Sequence, residues 1–137
     1  MYIGSKVKPC LPLNRMCDFI APATYSTAGA ITMTAADLFG GLVLRNTNGA
    51  NRADLVPLAA DVIKFMNGAK VGTAFEFTIR NTAGAAETIT VTTNTGWTLS
   101  GTMTIAQNNT KRFLAVVTNP LSGAEAITLY SLGTVVH

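Results

Sequence analysis

FEFTIRNTAGAAETITVTT (residues 75–93) alternates in steps of two on both sides of a turn. Phe75, Phe77 and Ile79 fall on one face of a strand and Glu76, Thr78 and Arg80 on the other, because successive side chains of an extended chain point opposite ways. Ile89 and Val91 repeat the pattern against Thr88, Thr90 and Thr92. The chain holds twenty threonines, and β-branched residues suit half-buried strands. Further along, Trp97 and Leu99 precede Ser100-Gly101, and Met103 and Ile105 follow, which predicts a hairpin or a bulged corner. Phe113, Ala115 and Val117 alternate with Leu114, Val116 and Thr118, so both faces of that strand are apolar. The expectation is a central strand covered on both sides. Ile127, Leu129 and the tail through Val136 supply a last strand, and Ile31–Thr34 and Leu42–Arg45 are shorter candidates upstream.

Two helices break the period of two. Pro57 suits a first helical position, Ala59, Val62, Ile63 and Met66 recur at helical spacing, and Asn67-Gly68 is a stop signal. This predicts a crossover helix between two strand groups. Thr34 is placed to cap a single turn over Ala35–Phe39 that Gly40-Gly41 ends.

LVLRNTNGA (42–50) and FTIRNTAGA (77–85) are one phrase repeated 35 residues apart, and NTAGAAETIT (81–90) has a looser echo in NPLSGAEAIT (119–128). Asn and Gly suit tight turns, Gly because it tolerates positive φ and Asn because its side chain also bonds nearby backbone amides. Each phrase reads as strand, turn and returning strand, giving three related hairpins. The spacing is too irregular for a solenoid. The expected fold is all-β, a jelly roll or β-sandwich of about eight strands with one short crossover helix. It would span 23–137, behind an extended arm over 1–22.

At 137 residues, 48% hydrophobic and 12% charged, the chain suits one domain with a real core. So few charges leave surface that an assembly would cover. No stretch reaches the roughly 18 apolar residues of a membrane span, and the basic start runs into Pro-Cys-Leu-Pro, so neither membrane insertion nor secretion is expected. The sequon Asn108-Asn109-Thr110 therefore carries no weight. Cys10 and Cys17 would close only a small loop as a disulfide and read as reduced thiols.

The arm MYIGSKVKPCLPLNRMC (1–17) holds Lys6, Lys8 and Arg15 with no acid, which is the whole net charge of +3. Pro9 and Pro12 exclude a helix and disfavour a strand. Val7, Leu11, Leu13, Met16 and Phe19 make it more apolar than a disordered tail. The arm reads as a strap toward another protein.

Groups for chemistry are sparse. His137 is the one histidine, the seven acids are scattered, and no phosphate-loop or dinucleotide glycine pattern occurs. Neither a metal loop nor a nucleophile set is legible, so no enzyme, cofactor or metal is expected. Direct nucleic-acid binding is not expected either, because beyond the arm the basic residues are matched one for one by acids. Arg45 and Arg52 bracket the loop NTNGAN, and Lys111-Arg112 form the other basic pair; both are candidates to orient an acidic protein partner. Trp97 reads as a core anchor.

The run GGLVLRNTNGANRADLVPLAADVIKFMNGAKVGTAFEFTIRNTAGAAETITVTTNTGWTLSGTMTIAQNNTKRFLAVVTN (40–119), with ITLYSLG (127–133), resembles a β-rich family of small virion proteins of tailed bacteriophages. It looks like a capsid cement, or head-decoration, protein of the jelly-roll kind, close to those of Bordetella-type short-tailed phages. The resemblance covers roughly residues 40–133 and carries no catalytic motif. It implies a jelly roll, made in the host bacterial cytoplasm and bound as a small homo-oligomer on the outer surface of an HK97-like shell of major capsid protein. On that reading Lys6, Lys8 and Arg15 meet acidic capsid surface, and Leu11, Leu13 and Met16 dock into a groove or a sister subunit. Arg45, Arg52, Lys111 and Arg112 add contacts. A receptor-binding spike or fibre domain of a phage is the alternative; a carbohydrate-binding module would need aromatics less dispersed than Tyr25, Trp97 and Tyr130.

Overall fold

A computed structural model describes residues 21–137. In chain order the elements are β1 (Ala23–Tyr25), α1 (Ala35–Phe39), β2 (Leu42–Arg45), β3 (Arg52–Leu55), α2 (Ala59–Met66), β4 (Ala74–Asn81), β5 (Ile89–Thr92), β6 (Trp97–Ser100), β7 (Thr104–Ile105), β8 (Asn109–Asn119) and β9 (Ala126–Val136). One sheet has six strands in the order β1-β2-β4-β8-β9-β6, and the other has three in the order β3-β5-β7. A single core takes Phe77, Ile79, Phe113, Ile127 and Leu129 from the larger sheet and Ile89, Val91 and Ile105 from the smaller. The protein is thus mostly β, with two sheets sharing one core as in a sandwich.

The expected alternation holds in β4, where Phe77 and Ile79 are buried while Glu76 and Arg80 are exposed, and in β5, where Ile89 and Val91 are buried. α1 forms because Thr34 Oγ1 accepts from the Asp37 amide at 3.2 Å while Asp37 Oδ2 accepts from the Thr34 amide at 2.8 Å. That reciprocal box satisfies two amides that a helix start otherwise leaves without partners. α2 begins at Ala59 with Leu58 as its cap, so Pro57 lies just before the helix, and Asn67 ends it in the left-handed conformation at φ 56°. It joins the smaller sheet to the larger, the crossover expected from its spacing. Trp97 anchors this junction, donating Nε1–H to the Pro57 carbonyl at 2.6 Å. Ile31–Thr34 makes only a single bridge, Thr32 to Leu55, and β1 and β3 are short strands that no alternation announces.

The repeated phrases depart from expectation. Among the described residues only β8 and β9 form a hairpin; β2–β3 and β4–β5 each leave the larger sheet and enter the smaller one. These two arches stack, so β2 lies parallel to β4 and β3 parallel to β5. With β1–β2 and β6–β9, four of the seven strand pairings among the described residues are parallel. The turn chemistry is nonetheless shared. The side-chain carbonyls of Asn46, Asn81 and Asn119 accept from the amides of Asn48, Ala83 and Leu121 at 2.9, 3.0 and 3.0 Å. Such a local bond reverses the chain but does not say which sheet the next strand joins. Ser100-Gly101 is likewise a corner, since β6 and β7 lie in different sheets.

β8 is central, between β4 and β9, and buries Phe113, Ala115 and Val117. Its second face is not fully covered: Leu114 and Val116 are half-buried on the outer face of the larger sheet.

Candidate functional site

Each proposed contact residue has a definite place, or none among the described residues. Lys6, Lys8, Leu11, Leu13, Arg15 and Met16 lie outside residues 21–137. Arg45 is not a surface contact: only 1% of it is exposed, and its Nε donates to Asp54 Oδ2 at 2.7 Å. The rest of the guanidinium donates to Asp54 Oδ1 and to the carbonyls of Thr27, Gly29 and Asn46. The cause is register. The phrases align Arg45 with Arg80, but the sheet pairs Arg45 with Asn81 and Leu44 with Arg80. A shift of one residue exchanges the two faces of a strand, so Arg45 points inward and Arg80 outward.

Arg52 is half-buried and staples the first arch, its Nε donating to the Thr47 carbonyl at 2.9 Å and Nη2 to that of Asn48 at 3.4 Å. Lys111 and Arg112 are neighbours on a strand and so face opposite ways. Lys111 is buried, donates to the Thr102 carbonyl at 2.8 Å, and its ammonium is pushed below the ordinary lysine value by desolvation. Its ammonium is turned to that carbonyl within the domain and is not a surface contact. Arg112 is exposed and pairs with Glu76 at 2.6 Å, with both side chains at least half in solvent. An ion pair so exposed adds little stability and is free to exchange partners.

What remains is the outer face of the six-stranded sheet. Pairing registers place Leu44 beside Arg80, and set Leu42, Thr78 and Arg112 in one row across the sheet and Glu76, Leu114 and Tyr130 in the next. Six strands at the usual spacing make a face about 24 Å across. Half-buried Leu42, Leu44, Leu114 and Val116 give it an apolar floor, and Arg80 and Arg112 stand out from it. The sequence signal for this face was present in the second, apolar side of β8. It pointed to a covering layer, because alternation cannot distinguish packing within the domain from packing on a partner.

Comparison with protein-family models, curated proteins and solved structures finds no match for this chain. The surface must therefore be interpreted from its own chemistry. Among the described residues no three of His, Cys, Asp and Glu gather as metal ligands, and no helix is long and apolar enough to cross a membrane. Two shallow hollows flank α2. One of about 290 Å³ is lined by Thr34, Asp61, Lys64 and Phe65, and one of about 340 Å³ by Leu58, Thr95 and Glu125.

Where the first twenty residues join this body, Tyr25 of β1 is fastened to α1. Its hydroxyl donates to Asp37 Oδ2 at 2.5 Å, and desolvation, with the bond to Asp37 and the Asp37 charge, pushes the phenol up to about 12. Because the folded value is raised, the bond's contribution is complete below the ordinary phenol range near 10 and is lost as pH rises through about 12. A phenolate absorbance titration of the native protein is expected to show a late step that is absent in Tyr25→Phe. A native titration without that late step would mean the bond does not form in solution.

Proposed function

We propose that the protein is a structural virion component. It binds the outer surface of an icosahedral capsid of HK97-like major capsid protein and cements neighbouring capsomers, stabilising the expanded, DNA-filled head. The observation that carries this reading is the broad outer face of the larger sheet, where half-buried leucines and a valine surround two outward arginines. A face of this kind seals against a protein surface by shape and apolar contact, while its charges set orientation and register. The class of partner is taken from the expectation that residues 40–133 resemble phage head-decoration proteins. Jelly rolls are wired from antiparallel Greek keys, whereas four pairings here are parallel. The reading is therefore supported by the two-sheet body and its outer face, not by strand wiring.

The mechanism is differential affinity. A protein that binds only the expanded lattice lowers the free energy of that lattice and resists its reversal. Weak contacts suffice, since sites linked through one shell gain by avidity. In this scheme Lys6, Lys8 and Arg15 meet acidic capsid surface, Leu11, Leu13 and Met16 seat in an apolar groove, and Arg80 and Arg112 orient the sheet.

Quantitative mass spectrometry of purified virions tests the proposal. Copies near the number of major capsid subunits would support a lattice-wide cement, a few per vertex would favour a spike or fibre, and absence would refute a virion role. On isolated expanded shells, removing residues 1–17 or reversing Arg80 and Arg112 to Glu is expected to lower occupancy at least about tenfold. The Glu variants should keep their fold, since both side chains are exposed.

A further inference from the structure

β9 is eleven residues long, but β6, its neighbour on the outer side, is only four and pairs with Ile127–Tyr130 alone. The reason lies at Gly101, where φ is +97° and an added Cβ would stand 2.3 Å from Ser131 Oγ. That left-handed φ is one that L side chains rarely adopt, and there the chain turns away into the other sheet. Beyond Ser131, β9 is held by β8 on one side, through the pairs Arg112–Gly133 to Asn109–Val136. Among the described residues nothing pairs with its other side.

This open edge also concentrates apolar surface. Leu132, Val135 and Val136 are 47%, 57% and 74% exposed. No charged residue and no proline occurs between Ala126 and Val136, although exposed edges are usually protected by one or the other. The bulge at Leu132 distorts pairing toward β8 and leaves the outer edge extended from Gly133 to Val136. A matching edge must be extended, uncharged and of similar length. β1 has three residues and follows Pro22, β7 has two, and β3 carries Arg52 and Asp54. β6 is also an uncharged edge, but it has four residues, with Trp97 buried and only Thr98 and Ser100 exposed; among the described residues the overhang of β9 is the longer such edge and the one that exposes large apolar side chains.

We propose that residues 132–136 of β9 pair antiparallel with the same segment of a second copy of this chain, joining two six-stranded sheets into one continuous sheet of twelve. A two-fold axis through the edge at Thr134 makes the paired strands antiparallel automatically, and sets Val135 opposite Gly133 of the partner subunit and Val136 opposite Leu132 of the partner subunit. Charge permits it. Arg112 sits on β8, so the two copies of β8 lie three strand spacings, about 14 Å, apart. That exceeds the screening length of about 8 Å at physiological salt. The pairing does not rest on a capsid partner, and it can be measured on the isolated protein.

The full chain is expected to sediment as a dimer. Val135→Lys, a change at an exposed position that sets two ammonium groups diagonally across the axis on one face of the sheet, should weaken the dimer at least about a hundredfold. Val71→Lys, at a residue 71% exposed in another part of the molecule, should leave it intact. Hydrogen exchange of the wild type gives a second readout that needs no variant: alternate amides within 132–136 should be protected in the dimer and exchange freely on dilution to monomer. A trimer, a dimer equally strong in Val135→Lys, or a dimer weakened equally by both lysines would overturn the pairing. So would a monomer, including one whose 132–136 amides are protected, since another segment would then occupy the edge.

Discussion

Arg45→Met is expected to destabilise the protein by about 4 kcal/mol, measured by urea unfolding of the full chain. Arginine has five N–H donors, and here they meet five acceptors: both oxygens of Asp54 and the carbonyls of Thr27, Gly29 and Asn46. Asp54 is 2% exposed and also accepts from the Ile31 amide at 3.0 Å. Methionine fills much of the volume but leaves a carboxylate without its counter-charge in a low dielectric, and three carbonyls without donors. The loss is dominated by those abandoned groups and not by the attraction that disappears. A double variant, Arg45→Met with Asp54→Leu, should therefore recover a large part of the stability. Arg80→Met, at the aligned position of the repeated phrase, should change stability by no more than about 0.5 kcal/mol, because that side chain is exposed. Equal effects at 45 and 80 would contradict the one-residue register shift between β2 and β4.

Gly96→Ala is the second large effect, expected at about 3 kcal/mol by the same measurement. Gly96 lies in the tight turn before β6 at φ +89°, and an added Cβ would stand 2.5 Å from the Ala59 Cβ and 2.7 Å from the Glu125 carbonyl oxygen. Ala59 is buried in the first turn of α2, and the carbonyl belongs to backbone, so neither can yield without moving an element. Gly41→Ala separates the two contributions. Gly41 has φ +82° with nothing within 4 Å of its would-be Cβ, so only the backbone penalty of about 1 kcal/mol applies. A Gly96→Ala cost equal to that of Gly41→Ala would mean that the approach of α2 to the turn is looser than described.

These two sites mark the boundary between local and non-local information. Thr34 and Asp37, the spacing from Ala59 to Met66, and the alternation of Phe75 to Arg80 act over a few residues, and each forms the element its pattern predicts. The asparagines at 46, 81 and 119 behave alike because their bonds reach only two residues along the chain. Arg112 was also legible as an exposed cation. Arg45, Arg52 and Lys111 were not, since a charge next to a turn looks the same whether it faces solvent or the core. Their direction depends on registers set between strands distant in sequence: Arg45 opposite Asn81, Lys111 opposite Ile79. The same holds for the arches and for the free edge of β9. A turn specifies that the chain reverses, but which sheet it enters, and where β6 stops, is decided by packing against Ala59, Glu125 and Ser131. Those neighbours come together only when the whole chain has folded.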